Sequence, residues 1–228
     1  MELGSTFIPF SSIGYFFAST VLIISSTWFY GKWKVNKLES TEYLLKAMVW
    51  LAPAHFLWGF PAIVTTDPYI LGLVSVPANI FLMFFHAYFG RFAFALSGKY
   101  ELGKRFFNYL LVWTALISLP INFIYLPQPF IDANGVEVWA YTWQLFFSIS
   151  VWTPITVAMV AYVLLKNFKK SKDKVVTALL SISFIIGGVS ANFVVLSDSS
   201  LWLYFAGYVA MFMGAYWVLL LPFSFHRE

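Results

Sequence analysis

The chain has 228 residues, of which 61% are hydrophobic and only 11% are charged, whereas soluble domains carry roughly a quarter charged residues. This composition excludes an ordinary soluble domain. The formal net charge of +4 does not indicate nucleic-acid binding, because the basic residues lie in short segments between apolar stretches. The absence of cysteine excludes disulfides, thiolate metal sites and a cysteine nucleophile.

Seven apolar stretches follow one another along the chain, and a helix needs roughly 20 such residues to cross a bilayer. They cover approximately residues 7–30, 43–65, 69–96, 105–126, 138–166, 174–196 and 200–223. The sequence therefore predicts an all-α membrane protein, in which residues 1–228 form a single seven-transmembrane helix bundle. Because the connections are short, neighbouring spans are expected to pack antiparallel.

The basic residues predict the orientation of this bundle. The first, third and fifth connections are basic, whereas the second, fourth and sixth contain no Lys or Arg. Cytoplasmic loops retain positive charge, so the N-terminus is expected outside and the C-terminus in the cytoplasm, with the plasma membrane as the location. The segment MELGSTFIPF has no basic n-region, which favours a retained end over a cleaved signal peptide.

The longest outer connection, at about residues 127–138, contains a turn signal. Asn134-Gly135 lies between Phe130-Ile131 and Val136, and this arrangement is typical of a β-hairpin. We expect a hairpin-like loop over the outer end of the bundle. A plain polar turn is the alternative.

Ionisable residues deep in the predicted spans are few, and such residues are candidates for function. No Asp or Glu falls in the middle of a span, and the seventh span contains no lysine for a retinal Schiff base. His55 and His86 remain. At 1.5 Å per residue, both lie roughly 15–18 Å from the cytoplasmic boundary.

Two imidazoles at similar depth on adjacent helices could hold haem b by bis-histidine ligation. Each could instead hydrogen-bond a neighbour inside the bundle, or respond to a ligand or a proton. Two histidines without a nearby carboxylate or cysteine make a poor zinc or copper site, so no metal site is predicted.

Amides and kinked helices suggest a second candidate site. Prolines inside the predicted spans remove backbone donors and bend helices, which can open a cavity: these are Pro53, Pro61, Pro77, Pro120 and Pro154. A pocket for a small neutral or lipid-like ligand would be formed by Asn79, Gln144, Trp152, Pro154 and Asn192. Interhelical hydrogen bonding that only stabilises the bundle is the alternative role of these amides.

Three stretches resemble the seven-span sensory region of histidine kinases and related signalling proteins. They are PANIFLMFFHAYFGR, FIDANGVEVW and AYVLLKNFKKSKDKVVTALLSISFIIGGVSANF. The resemblance rests on hydropathy and loop placement, and it implies a sensory function without assigning a role to any residue. No output domain follows FSFHRE, so a sensory role is expected to require a partner subunit.

The sequence contains no phosphate-binding loop, nucleophile elbow or His-Glu-x-x-His motif, so catalytic activity of its own is not expected. The leading hypothesis is a non-enzymatic, receptor-like membrane module that acts through another membrane or cytoplasmic protein. The first alternative is a membrane subunit or anchor of a larger complex, with or without haem b. The second is a small transporter, although no internal repeat is apparent.

Overall fold

The computed structural model describes residues 9–131, 137–139 and 141–167, together with positions 178, 181, 182, 185 and 186. Within these residues the chain is almost entirely helical. The helices are α1 (Phe10–Asn36), α2 (Glu39–Gly59), α3 (Pro61–Val64), α4 (Pro68–Leu96), α5 (Tyr100–Trp113), a π-helical turn (Thr114–Ser118), α6 (Leu119–Ile124), α7 (Trp143–Ile149) and α8 (Trp152–Asn167).

Five helical segments in the described part are long and apolar enough to cross a membrane. They are Ser11–Asn36, Glu39–Val64, Pro68–Leu96, Tyr100–Ile124 and Trp143–Lys166. They coincide with the first five predicted spans and support a helical membrane protein. The sixth and seventh predicted spans lie almost entirely outside the described residues, so the count of seven and the orientation stay predictions.

Helix α1 extends beyond the predicted end of the first span at residue 30. It continues to Asn36, and Lys37 ends it with a left-handed backbone conformation (φ 53°). The basic segment GKWKVN is therefore helical rather than part of a loop. Only Lys37 and Leu38 connect α1 to α2.

The prolines act in two different ways. Pro53 and Pro77 lie inside the continuous helices α2 and α4. Pro61 and Pro154 instead lie in the first turn of α3 and α8, directly after a break in the helix, whereas Pro120 follows the π-helical turn within the continuous segment Tyr100–Ile124. A missing N–H is tolerated in a first turn, because that N–H has no partner within the helix.

Two short strands pair in the loop where the sequence predicts a hairpin. Strands β1 (Phe130–Ile131) and β2 (Glu137–Val138) are antiparallel. Phe130 lies opposite Val138, and Ile131 lies opposite Glu137. The Asn134-Gly135 pair lies outside the described residues. Trp139, which follows β2, is buried and fixes this end of the loop to the bundle.

Helix α4 is the central element of the described bundle and packs against α2, α5 and α8, while α1 packs on α2. Ala47 of α2, Phe89 of α4 and Val160 of α8 belong to one apolar cluster. A second cluster joins α4 to α5 and α7. A Cβ atom at Gly90 would lie 2.0 Å from the Phe106 ring, so glycine allows α4 and α5 to cross closely.

Candidate functional site

His86 lies in the middle of α4, and its imidazole is fully buried against α8. Its Nδ1 atom is 3.0 Å from the Thr156 hydroxyl, and its Nε2 atom is 3.1 Å from the Thr153 hydroxyl. The two threonines are three residues apart, so both hydroxyls lie on the same side of α8. Both ring nitrogens therefore have partners on the fifth predicted span.

The hydrogen bonds around His86 determine its tautomer. The Thr156 hydroxyl donates to the Trp152 carbonyl at 2.8 Å, so its oxygen is left to accept from the ring. With the Thr156 proton on the Trp152 carbonyl, Nδ1 carries the ring proton and Nε2 accepts from the Thr153 hydroxyl. A neutral imidazole is satisfied at both nitrogens in this arrangement.

We expect nitrogen NMR of histidine-labelled protein to show His86 as the neutral Nδ1–H tautomer. Replacing Thr153 by Val should move only the Nε2 resonance, because that nitrogen loses its donor. His55→Gln and His226→Gln remove the other two histidines of the chain and serve to assign the signals. A spectrum with Nε2 protonated would contradict the deduced hydrogen-bond directions.

His55 lies in α2 and has different neighbours. Its Nδ1 atom is 3.0 Å from the carbonyl oxygen of Leu51 in the same helix. Its ring is 6.1 Å from the Tyr15 ring of α1 and 5.5 Å from the Trp58 ring. The imidazole is therefore packed in the contact between α1 and α2.

The structure does not bring the two histidines together as a bis-histidine haem site requires. An axial ligand needs a free ring nitrogen directed at iron, whereas the nitrogens of His86 are engaged by Thr153 and Thr156. The His55 ring packs against Tyr15 of α1 rather than against His86. Although the sequence predicts similar depths for the two histidines, their side chains contact different helices, α1 for His55 and α8 for His86. Among the described residues, no group of three metal-binding side chains occurs either.

Asn79 is the centre of a buried polar network and lies about two helical turns before His86 in α4. Its amide nitrogen donates to Asn122 Oδ1 at 2.7 Å, and its Oδ1 accepts from the Tyr141 hydroxyl at 3.0 Å. Asn122 in turn donates to the Ser118 carbonyl at 2.7 Å. The network joins α4, α6 and the segment that follows the hairpin.

The network continues to an interrupted part of the fifth predicted span. The helix stops at Ile149 and resumes at Trp152, which leaves the Ser148 carbonyl to side-chain donors. Ser118 Oγ donates to it at 2.7 Å and Trp113 Nε1 donates at 2.9 Å. Both donors border or belong to the π-helical turn, a feature that often occurs at functional sites.

The predicted pocket residues fall into separate environments. Trp152 is buried in an aromatic group, with ring centroids 5.5 Å from Trp113 and 5.9 Å from Tyr109. Pro154 is exposed, and Gln144 is half-buried in the first turn of α7. Asn192 lies outside the described residues. Of the four members of the proposed set that the structure describes, only Asn79 lies in the buried polar network.

Arg91 near the C-terminal end of α4 is held by aromatic rings. Its guanidinium donates to the Tyr43 hydroxyl and lies 4.1 Å from the centroid of that ring and 5.5 Å from that of Phe107. The Tyr43 hydroxyl donates to Glu39 at 3.0 Å. Arg91 thus lies near the end of a long apolar helix, where its side chain can extend towards the interface.

No protein-family model matches the chain, and it matches no curated protein. The function must therefore be argued from the side-chain contacts themselves. The class of protein follows from the five long apolar helices, which support an integral membrane protein.

Proposed function

We propose that the chain is a non-enzymatic, sensory or receptor-like membrane module that acts through a partner protein. A change at the outer end of the bundle would alter helix packing and be read by that partner at the basic, cytoplasmic end. This proposal includes seven spans, an outer N-terminus and the plasma membrane, as the hydropathy and the basic connections predict.

One observation carries the proposal: a series of hydrogen bonds runs from Tyr141, which follows the hairpin, to the break between α7 and α8. It passes from Tyr141 to Asn79, from Asn79 to Asn122, from Asn122 to Ser118, and from Ser118 to the Ser148 carbonyl. Coupling between distant sites can be carried by hydrogen-bond networks that have two discrete arrangements.

The helix irregularities along this chain supply an element that can change. A π-helical turn and a broken helix have backbone groups that are satisfied by side chains instead of by the regular helix pattern. Loss of the donor from Ser118 would leave Trp113 as the remaining side-chain donor to the Ser148 carbonyl among the described residues, and would favour a different local geometry of the fifth span. A ligand or partner at the hairpin could bias this equilibrium through Tyr141.

The proposal predicts that Tyr141→Phe alters the spacing of helices at the basic end. The full chain contains no cysteine, so spin labels can be attached to cysteines introduced at the exposed positions Val35 and Leu102. We expect Tyr141→Phe to shift or broaden the distance distribution between these labels. The shift arises because the outer end of the hydrogen-bond chain loses its donor.

Tyr125→Phe is the matched control, because that exposed tyrosine has no side-chain hydrogen bond among the described residues. It should leave the distribution unchanged. If Tyr141→Phe also leaves the distance distribution unchanged, the bundle does not transmit a change from Tyr141 to its basic end. Copurification from native membranes, with mass spectrometry of bound proteins and small molecules, then identifies the partner.

The second candidate is a membrane subunit or anchor of a larger complex. The fourth long helix, Tyr100–Ile124, is the least buried of the five. Apolar side chains on it, such as Leu116 and Ile124, are about 70% exposed, and they could contact lipid or a second membrane protein. A passive result in the spin-label experiment together with a stable membrane partner would favour this candidate.

A further inference from the structure

The end of α1 carries a compact patch of aromatic and basic side chains, which we call the basic-aromatic face: Tyr30, Trp33, Lys34 and Lys37. The Lys34 ammonium lies 5.0 Å from the Tyr30 ring centroid, and the Lys37 ammonium lies 4.4 Å from that of Trp33. The two rings are themselves 6.0 Å apart. The four side chains therefore form one continuous group.

Helix geometry places these residues on a single face. Lys34 and Lys37 each follow the ring that they contact by four residues, which is about one helical turn. Tyr30, Lys34 and Lys37 are exposed, and Trp33 is half-buried. Because α1 continues to Asn36, this face extends roughly 9 Å past the predicted end of the first span.

The two ammonium groups have no carboxylate partner among the described residues, where the only salt bridge joins Lys46 to Glu42. The acid closest in sequence, Glu39, accepts a hydrogen bond from Tyr43. Lys37 also occupies a left-handed backbone position (φ 53°) that glycine would adopt with less strain. The face thus presents positive charge that the described part of the bundle leaves uncompensated.

We propose that the basic-aromatic face binds the headgroups of anionic phospholipids in the adjacent leaflet. Tyr and Trp rings favour the membrane–water interface, where their apolar bodies reach the acyl chains and their polar atoms reach water. Lysines at the same level attract negatively charged headgroups. The rings hold each ammonium close to the helix surface, at the height of the lipid phosphates.

The test measures which lipid contacts this face in vesicles of phosphatidylcholine and phosphatidylglycerol. A fluorophore is attached to Val35→Cys, because this neighbouring position is 88% exposed and the natural chain has no cysteine. Bromine on the acyl chains of one lipid or the other quenches the fluorophore on contact. The ratio of the two quenching curves gives the preference for the anionic lipid.

We expect stronger quenching by brominated phosphatidylglycerol than its share of the vesicle predicts. Replacing both lysines (K34Q/K37Q) should reduce this preference about five-fold or more, since each lysine near a membrane surface contributes roughly that factor. K34R/K37R should retain it, because arginine preserves the charge and also stacks on aromatic rings.

The matched control is K104Q/R105Q, which removes the same charge from exposed positions in the first two turns of α5. It should leave the preference unchanged. An unchanged preference in K34Q/K37Q would overturn the proposal. So would an equal loss in K104Q/R105Q, because the attraction would then come from the overall charge of this end and not from the basic-aromatic face.

Discussion

Replacing Gly72 by Ala is expected to lower the free energy of unfolding by about 1–3 kcal/mol, the usual result of overpacking a well-packed contact. Gly72 lies in the second turn of α4, against the segment that leads to β1. An added Cβ atom would lie 1.9 Å from the Pro127 carbonyl oxygen and 3.2 Å from Leu126 Cγ. Because the nearest atom belongs to the backbone, a change of rotamer cannot relieve the overlap.

The free energy can be measured by titrating the protein in mixed micelles with a denaturing detergent. Gly31→Ala is the matched control, because a Cβ atom at Gly31 of α1 meets nothing within 4 Å. That substitution should be neutral, or stabilising by up to about 1 kcal/mol, since alanine favours a helix. Equal effects of the two substitutions would show that the segment at Pro127 does not press on α4.

The long helices could be predicted from the sequence because hydropathy alone determines them. The first five predicted spans agree with the five long apolar helices in position, and the main difference is the extension of α1 to Asn36. That extension was missed because its lysines resemble a loop in a hydropathy profile. In the structure they lie against rings one turn earlier, which lets a charged segment remain helical at the interface.

The partners of the buried polar residues could not be predicted in the same way. Sequence position gives the depth of a residue in the membrane, but each residue of a helix points about 100° away from the one before. His55 and His86 were placed at similar depth, yet one contacts Tyr15 of α1 and the other contacts α8. The direction depends on how each helix is rotated, and packing between helices decides this.

The network around Asn79 could likewise be predicted only in part. Its amide was recognisable as a polar centre, but its pairing with Asn122 and Tyr141 depends on the packing of α4 against α6. The π-helical turn at Thr114–Ser118 has no clear sequence signal apart from the nearby Pro120. The break between α7 and α8 likewise depends on tertiary donors, because Ser118 and Trp113 bond the Ser148 carbonyl from far away in sequence.

Replacing Asn79 by Leu is expected to lower the free energy of unfolding by about 1–2 kcal/mol. Leucine is close to asparagine in size, but it would remove the donor to Asn122 Oδ1 and the amide oxygen that accepts from the Tyr141 hydroxyl. Leaving a buried polar group unsatisfied costs about 1–3 kcal/mol, whereas interhelical hydrogen bonds in membranes average nearer 0.6 kcal/mol. Unfolding in mixed micelles again provides the measurement.

Asn122→Leu and the double variant complete a thermodynamic cycle around the same hydrogen bond. If the two amides act as a unit, the double variant should lose less stability than the sum of the single variants, by at least about 0.5 kcal/mol. Thr20→Val is the control, since this exposed hydroxyl of α1 bonds only the Phe16 carbonyl of its own helix, and its loss should change stability by less than about 0.5 kcal/mol. Strict additivity of the two asparagine substitutions would mean that they stabilise the bundle separately. The hydrogen-bond chain from Tyr141 to Ser148 could not then transmit a change as a single unit.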